Sequence, residues 1–65
     1  MHIILNGEPK DTHAKTIKKL LEEIGIEDKV MAAAVNMNVV KKDHWETFLL
    51  SENDRVEFLQ FVGGG

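Results

Sequence analysis

Three glycines stand together at Gly63-Gly64-Gly65, directly after Phe61 and Val62. Glycine has no Cβ, so such a run packs no core and loses the most entropy when ordered. It is expected to be loose and solvent-exposed. Chemically it offers a main-chain carboxylate on a thin arm, able to enter a channel too narrow for side chains. A carboxylate becomes a good electrophile only when one oxygen is made a leaving group. Adenylation by ATP does this, and the acyl adenylate then accepts a sulfur or nitrogen nucleophile. Gly65, preceded by Gly64, leaves that carbon unhindered. Glycine content by itself fits a frayed end or a linker equally well.

The other chemistry-bearing residues offer less. His2, His13 and His44 lie at no metal-ligand spacing, and the chain has no cysteine to complete a site. Ser51 sits in a turn with no histidine near it in sequence. The 11 acidic residues are spread along the chain, so no pair is singled out for acid–base work. No phosphate-cradling glycine loop precedes a helix. A chain of 65 residues is one small domain with little room to enclose a ligand. The expectation is therefore no enzyme, no bound cofactor and no metal.

Composition narrows the setting. A net charge of -3 argues against nucleic acid, which needs clustered Lys and Arg. The absence of cysteine favours a reducing cytoplasm over secretion. The opening Met1-His2-Ile3-Ile4-Leu5 has no basic region and only a short apolar run, so neither a signal peptide nor a membrane span is expected.

The elements that must hold the glycines can be placed in order. Met1–Leu5 reads as a strand. Asn6-Gly7 is a hairpin signal of the type I′ class. The return, Glu8–Thr12, contains Pro9 and should be an edge strand. Ile17, Leu20, Leu21 and Ile24 recur at i, i+3, i+4, i+7, which is one helical stripe, with Thr16 as N-cap and Gly25 as the stop. The helix charges oppose its dipole, with Lys18 and Lys19 early and Glu22 and Glu23 late. The pairs Lys18–Glu22 and Lys19–Glu23 should offset this.

Ala32–Val35 reads as a central strand close beneath the helix, turning at Asn36-Met37-Asn38 into a brief strand at Val39-Val40. A single 3-10 turn is expected from Asp43, after which Trp45 plugs the core and finds a carbonyl or water for its indole N–H. Phe48, Leu49 and Leu50 continue the burial. Ser51–Asp54 is a turn with Asn53 able to go left-handed. Arg55–Val62 is the last strand, and Val56 and Phe58 should face the helix. Alternation then places Leu59 and Phe61 on the opposite face, where they read equally as a docking patch beside the arm or as edge packing. Strands flanking one helix, with the first and last strands as apolar central neighbours, make an α+β chain. The fold expected is a ubiquitin-like β-grasp, a mixed sheet of four to five strands with one main helix on one face. Residues 1–62 form the domain and 63–65 a flexible tail.

Ala34-Val35-Asn36, Val39-Val40-Lys41-Lys42, Trp45, Asn53-Asp54-Arg55-Val56-Glu57 and terminal Val62-Gly63-Gly64-Gly65 together resemble the ThiS family of sulfur carriers. Asn6-Gly7 and the Thr16-Ile17…Leu20-Leu21 helix start extend the likeness over nearly the whole chain. Two positions depart from the family pattern: Asn53 where glycine is frequent, and Lys41-Lys42 where Pro-Arg is frequent. The resemblance implies that a ThiF-like enzyme adenylates Gly65 with ATP and that a sulfur donor protein converts it to a thiocarboxylate. A ThiG-like thiazole synthase of thiamin biosynthesis then takes the sulfur. It implies Gly65 and Gly64 as the reactive end; Gly63, Phe61 and Leu59 beside it are expected to be partner-binding. Carriers of the MoaD type, serving molybdopterin or another sulfur pathway, share the fold and tail and are the nearest alternative; a non-reactive β-grasp interaction module is the alternative of a different class.

Overall fold

The computed structural model describes residues 1–60. The last two positions of the expected final strand, Phe61 and Val62, and the expected tail, 63–65, lie outside the described residues.

Strand β1 (His2–Leu5) turns at Asn6-Gly7, where φ is 49° and 85°, into antiparallel β2 (Glu8–Asp11). Positive φ at both turn residues matches the right-handed twist of the flanking strands, which is why Asn-Gly suits the position. Pro9 lies on a sheet edge, as its missing N–H requires. Helix α1 (Ile17–Ile24) begins at Thr16, whose Oγ1 accepts from the Lys19 N–H at 3.1 Å, and stops at Gly25, with φ 73°. Its stripe is buried as the spacing requires: Ile17, Leu20 and Leu21 are fully enclosed, and Ile24 packs half-buried against the core.

The helix charges behave differently from the local expectation. Neither Lys18–Glu22 nor Lys19–Glu23 forms. Lys19 pairs instead with Glu22 at 3.6 Å, and Lys18 reaches Glu27 at 3.7 Å in the 3-10 turn Glu27–Lys29. Glu23 turns across to the segment joining β2 and α1. It accepts from Thr12 Oγ1 at 2.8 Å and the His13 N–H at 3.3 Å, with Lys10 Nζ 3.8 Å away. A carboxylate late in the helix, unfavourable to the dipole, thus fastens a tertiary connection.

Strand β3 (Val30–Val35) starts two residues before the alanine run and returns through Asn36-Met37 into β4 (Asn38–Val40). The register passes from Val30↔Gln60 to Ala32↔Leu59, so Met31 is the extra residue of a bulge. That bulge resets the alternation, sending Val30, Ala33 and Val35 to the core. Of the alanines only Ala33 lies beneath the helix; the expectation that the whole run does so is corrected by the strand's period of two.

The second 3-10 turn is Lys42–His44, one residue earlier than the sequence suggests. Trp45 then enters the core at 5 % exposure, and its indole Nε1–H donates to the Val40 carbonyl at 2.8 Å. Leu50 is buried and Phe48 half-buried, but Leu49 is 70 % exposed, against expectation. Leu49 bridges to Thr16 in an extended pairing, so Leu50 and Leu49 point to opposite sides. After Asn53, at φ 68°, β5 (Arg55–Gln60) runs parallel to β1 and antiparallel to β3. The sheet order is β2-β1-β5-β3-β4, with α1 on one face: the β-grasp arrangement.

Candidate functional site

The strand that leads to the glycines is the middle one of five. Its inner face is rooted by Val56, fully buried, and Phe58, at 8 % exposure. Its start and its middle are also fastened by asparagine side chains. At the start, Asn36 Oδ1 accepts from the Arg55 N–H at 2.9 Å while its Nδ2 donates to Asp54 Oδ1 at 2.9 Å. Asp54 Oδ2 in turn accepts from the Ser51 N–H at 2.7 Å, closing the preceding turn. Farther on, β1 has ended, and Asn6 Oδ1 takes the Phe58 N–H at 2.9 Å in its place. Pairing with β3 then carries the strand to Gln60. These polar anchors escaped the sequence reading, which took Asn6 and Asn36 only as turn formers. Their side-chain role had no local signal, because Asn6 and Phe58 are 52 positions apart.

Leu59 points away from the helix and is 62 % exposed, as alternation requires. It lies opposite Ala32, and Glu57 lies opposite Ala34, which faces Val39 on the next strand. Val39 is 76 % exposed. Leu59 and Val39 thus flank an alanine-floored dish of about 360 Å³ with Glu57 at its margin. Small side chains between two larger ones leave a shallow apolar recess able to take a partner's side chain. The contributions of Ala32, Ala34 and Val39 were missed in the sequence, since they become neighbours of Leu59 only once the bulged register is known. Phe61, Gly63, Gly64 and Gly65 lie outside the described residues.

Among the described residues, no group of His, Cys, Asp and Glu side chains could hold a metal ion. His2 pairs with Asp11 at 3.1 Å, while Asp54 and Thr12, the buried polar groups, are satisfied by hydrogen bonds. Glu23 is held below the usual carboxylate range, chiefly by the Thr12 hydroxyl hydrogen bond, with smaller help from the His13 N–H and Lys10 and opposition from desolvation. It braces a connection and does not face the dish. No helix among the described residues is long and apolar enough to cross a membrane.

Comparison with known proteins agrees with this geometry. The model of the ThiS family matches residues 3–65. The sulfur carrier protein ThiS of Thermus thermophilus is 36% identical over 94% of this chain and 95% of its own length. A thiazole synthase of Paramagnetospirillum magneticum is 30% identical over the whole chain, which spans only 20% of that protein's length. A crystal structure of the thiamine biosynthesis protein ThiS from Geobacter metallireducens superposes with a TM-score of 0.82 at 26% identity, covering 100% of both chains.

Proposed function

The chain belongs to the ThiS family, and from that membership we propose that it is a sulfur carrier of thiamin biosynthesis loaded at the carboxylate of Gly65. A ThiF-like enzyme joins that carboxylate to AMP from ATP, releasing pyrophosphate. The outer sulfur of a donor-protein persulfide attacks the acyl carbon and AMP leaves with the bonding electrons; a thiol then reduces the resulting acyl disulfide, forming a disulfide with the donor sulfur and leaving a thiocarboxylate. A ThiG-like thiazole synthase then draws the sulfur from it. The chain is a cytoplasmic co-substrate in this scheme, and the catalysis belongs to its partners. Gly64 keeps the reacting carbon unhindered, since any Cβ there would crowd the attack. Leu59 and its dish, with Phe61 and Gly63, form the docking surface that presents the arm.

The observation that carries this reading is the family match running through residue 65, so that it takes in the glycines as well as the fold. The likeness between the whole chain and part of a thiazole synthase supports a synthase as the acceptor. The test is intact mass after incubation with ATP, a sulfur donor and a ThiF-like enzyme. The expected result is a gain equal to exchanging one oxygen for sulfur, localised to the terminal glycine peptide. A gain that stops at the adenylate would point to a protein modifier, and no gain with a competent enzyme would leave a passive module.

A further inference from the structure

At the end of the sheet where β1 and β5 begin, opposite Gln60, the segment His13–Thr16 lies beside Leu49–Leu50. The Leu50 N–H donates to the Lys15 carbonyl at 2.8 Å, and Thr16 and Leu49 form an isolated antiparallel bridge. A cleft of about 430 Å³ opens on one side of this seam, over Met1, Thr12 and Leu50. A second of about 500 Å³ opens on the other, over Ala14, Thr16 and Lys19. His13 and Lys15 line both, so the two recesses share one wall. The lining of each is mostly carbon.

Two features set this seam apart from ordinary surface. Leu49 stands 70 % exposed on a backbone fixed from both sides, an apolar side chain held out by structure. The rim carries Lys15 and Lys19 in a chain of net charge -3. The acid on this rim, Glu23, is already engaged by Thr12, the His13 N–H and Lys10. Lys19 also lies 3.6 Å from Glu22, with its side chain 70% exposed. Apolar recesses with cationic margins complement an acidic segment bearing apolar side chains. They repel a basic one.

We propose that this seam docks an acidic, leucine- or aromatic-bearing segment of a partner protein, independently of Gly65. None of the residues lining the two clefts lines the Leu59 dish, so a partner seated on the seam leaves the dish's own lining free.

The experiment is an amide chemical-shift titration of the isotopically labelled full chain with a synthetic acetylated peptide that alternates leucine and aspartate. Saturable shifts are expected at His13–Thr16 and Leu49–Leu50. Binding should weaken severalfold between low and physiological salt. Lys15→Glu should weaken it about tenfold, and Leu49→Ser should abolish it. Both side chains are exposed, and the rest of the spectrum reports whether each variant keeps its fold. A chain lacking Gly65 should bind unchanged, which separates this site from the carrier reading. The proposal is overturned by absent saturation, by equal binding of an alternating leucine–lysine peptide, or by shifts centred on Leu59. Concentration-dependent shifts of the same amides without peptide would seat a second copy there and overturn it too.

Discussion

Met37 holds φ at 72° while 82 % exposed, at the second central position of the β3–β4 turn. Left-handed backbone brings Cβ against the following carbonyl, at about 1–2 kcal/mol for a residue other than glycine or asparagine. Its neighbour Asn36, at φ 51°, tolerates the conformation and uses both side-chain polar atoms to hold Asp54 and Arg55. The two residues of one turn thus carry opposite predictions. Met37→Gly should raise stability by about 1 kcal/mol, because relief of strain exceeds the entropy glycine adds to the unfolded chain. For a domain this small that is a rise of roughly 4–8 °C in Tm. Asn36→Gly should lower Tm despite its ideal backbone, through loss of two anchors of β5. Thermal unfolding of the pair checks both, and a Met37→Gly variant that melts no higher would show the strain to be absorbed elsewhere.

The same contrast between local rule and tertiary use governs helix α1. Glu23 is misplaced for the macrodipole, yet its carboxylate accepts two hydrogen bonds from Thr12 and His13. Those donors favour the ionised form, so its folded pKa lies below the unfolded one. A depressed carboxylate contributes stability above its unfolded pKa, near 4.5, and that contribution is lost as pH falls through the lower folded value. Glu23→Gln should therefore be less stable than the parent at neutral pH, with a shallower fall below pH 4.5; urea midpoints across that range measure it. Equal slopes in parent and variant would remove Glu23 from the acid response. Elements of this kind divide into what the sequence displays and what it hides. The Asn6-Gly7 hairpin, the Ile17/Leu20/Leu21 stripe between Thr16 and Gly25, the Trp45 plug and the Val56/Phe58 alternation follow from local stereochemistry and period, and were readable. The Met31 bulge, the outward Ala32 and Ala34, the exposed Leu49 and the Glu23 latch depend on which strand meets which at what register, and a single chain does not print that. Leu59 was readable as outward-facing, but the dish it borders was not.

Taken as a whole, the molecule separates its folding from its surfaces. The buried cluster runs from Ile3 through Leu21 and Trp45 to Phe58 on the helix side of the sheet, while Leu59, Ala32, Ala34 and Val39 lie on the other. A change to the outward side chains removes little buried area, so it should cost the fold less than about 0.5 kcal/mol. Placing a charge there, however, leaves it unpaired in any apolar interface and should weaken docking strongly. Leu59→Asp and deletion of Gly65 therefore distinguish docking from reaction. Both variants should melt within a few degrees of the parent. Leu59→Asp should bind a ThiF-like enzyme at least tenfold more weakly yet reach full adenylation at saturating enzyme, because its carboxylate is intact. The chain lacking Gly65 should retain the contacts of the dish but yield no thiocarboxylate at any concentration, since its last carbon no longer reaches the attacked position. Titration of both variants against one enzyme, read by calorimetry for binding and by intact mass for product, gives the two quantities separately. If Leu59→Asp bound as tightly as the parent, the dish would be ordinary sheet surface and presentation would rest on the terminal segment alone.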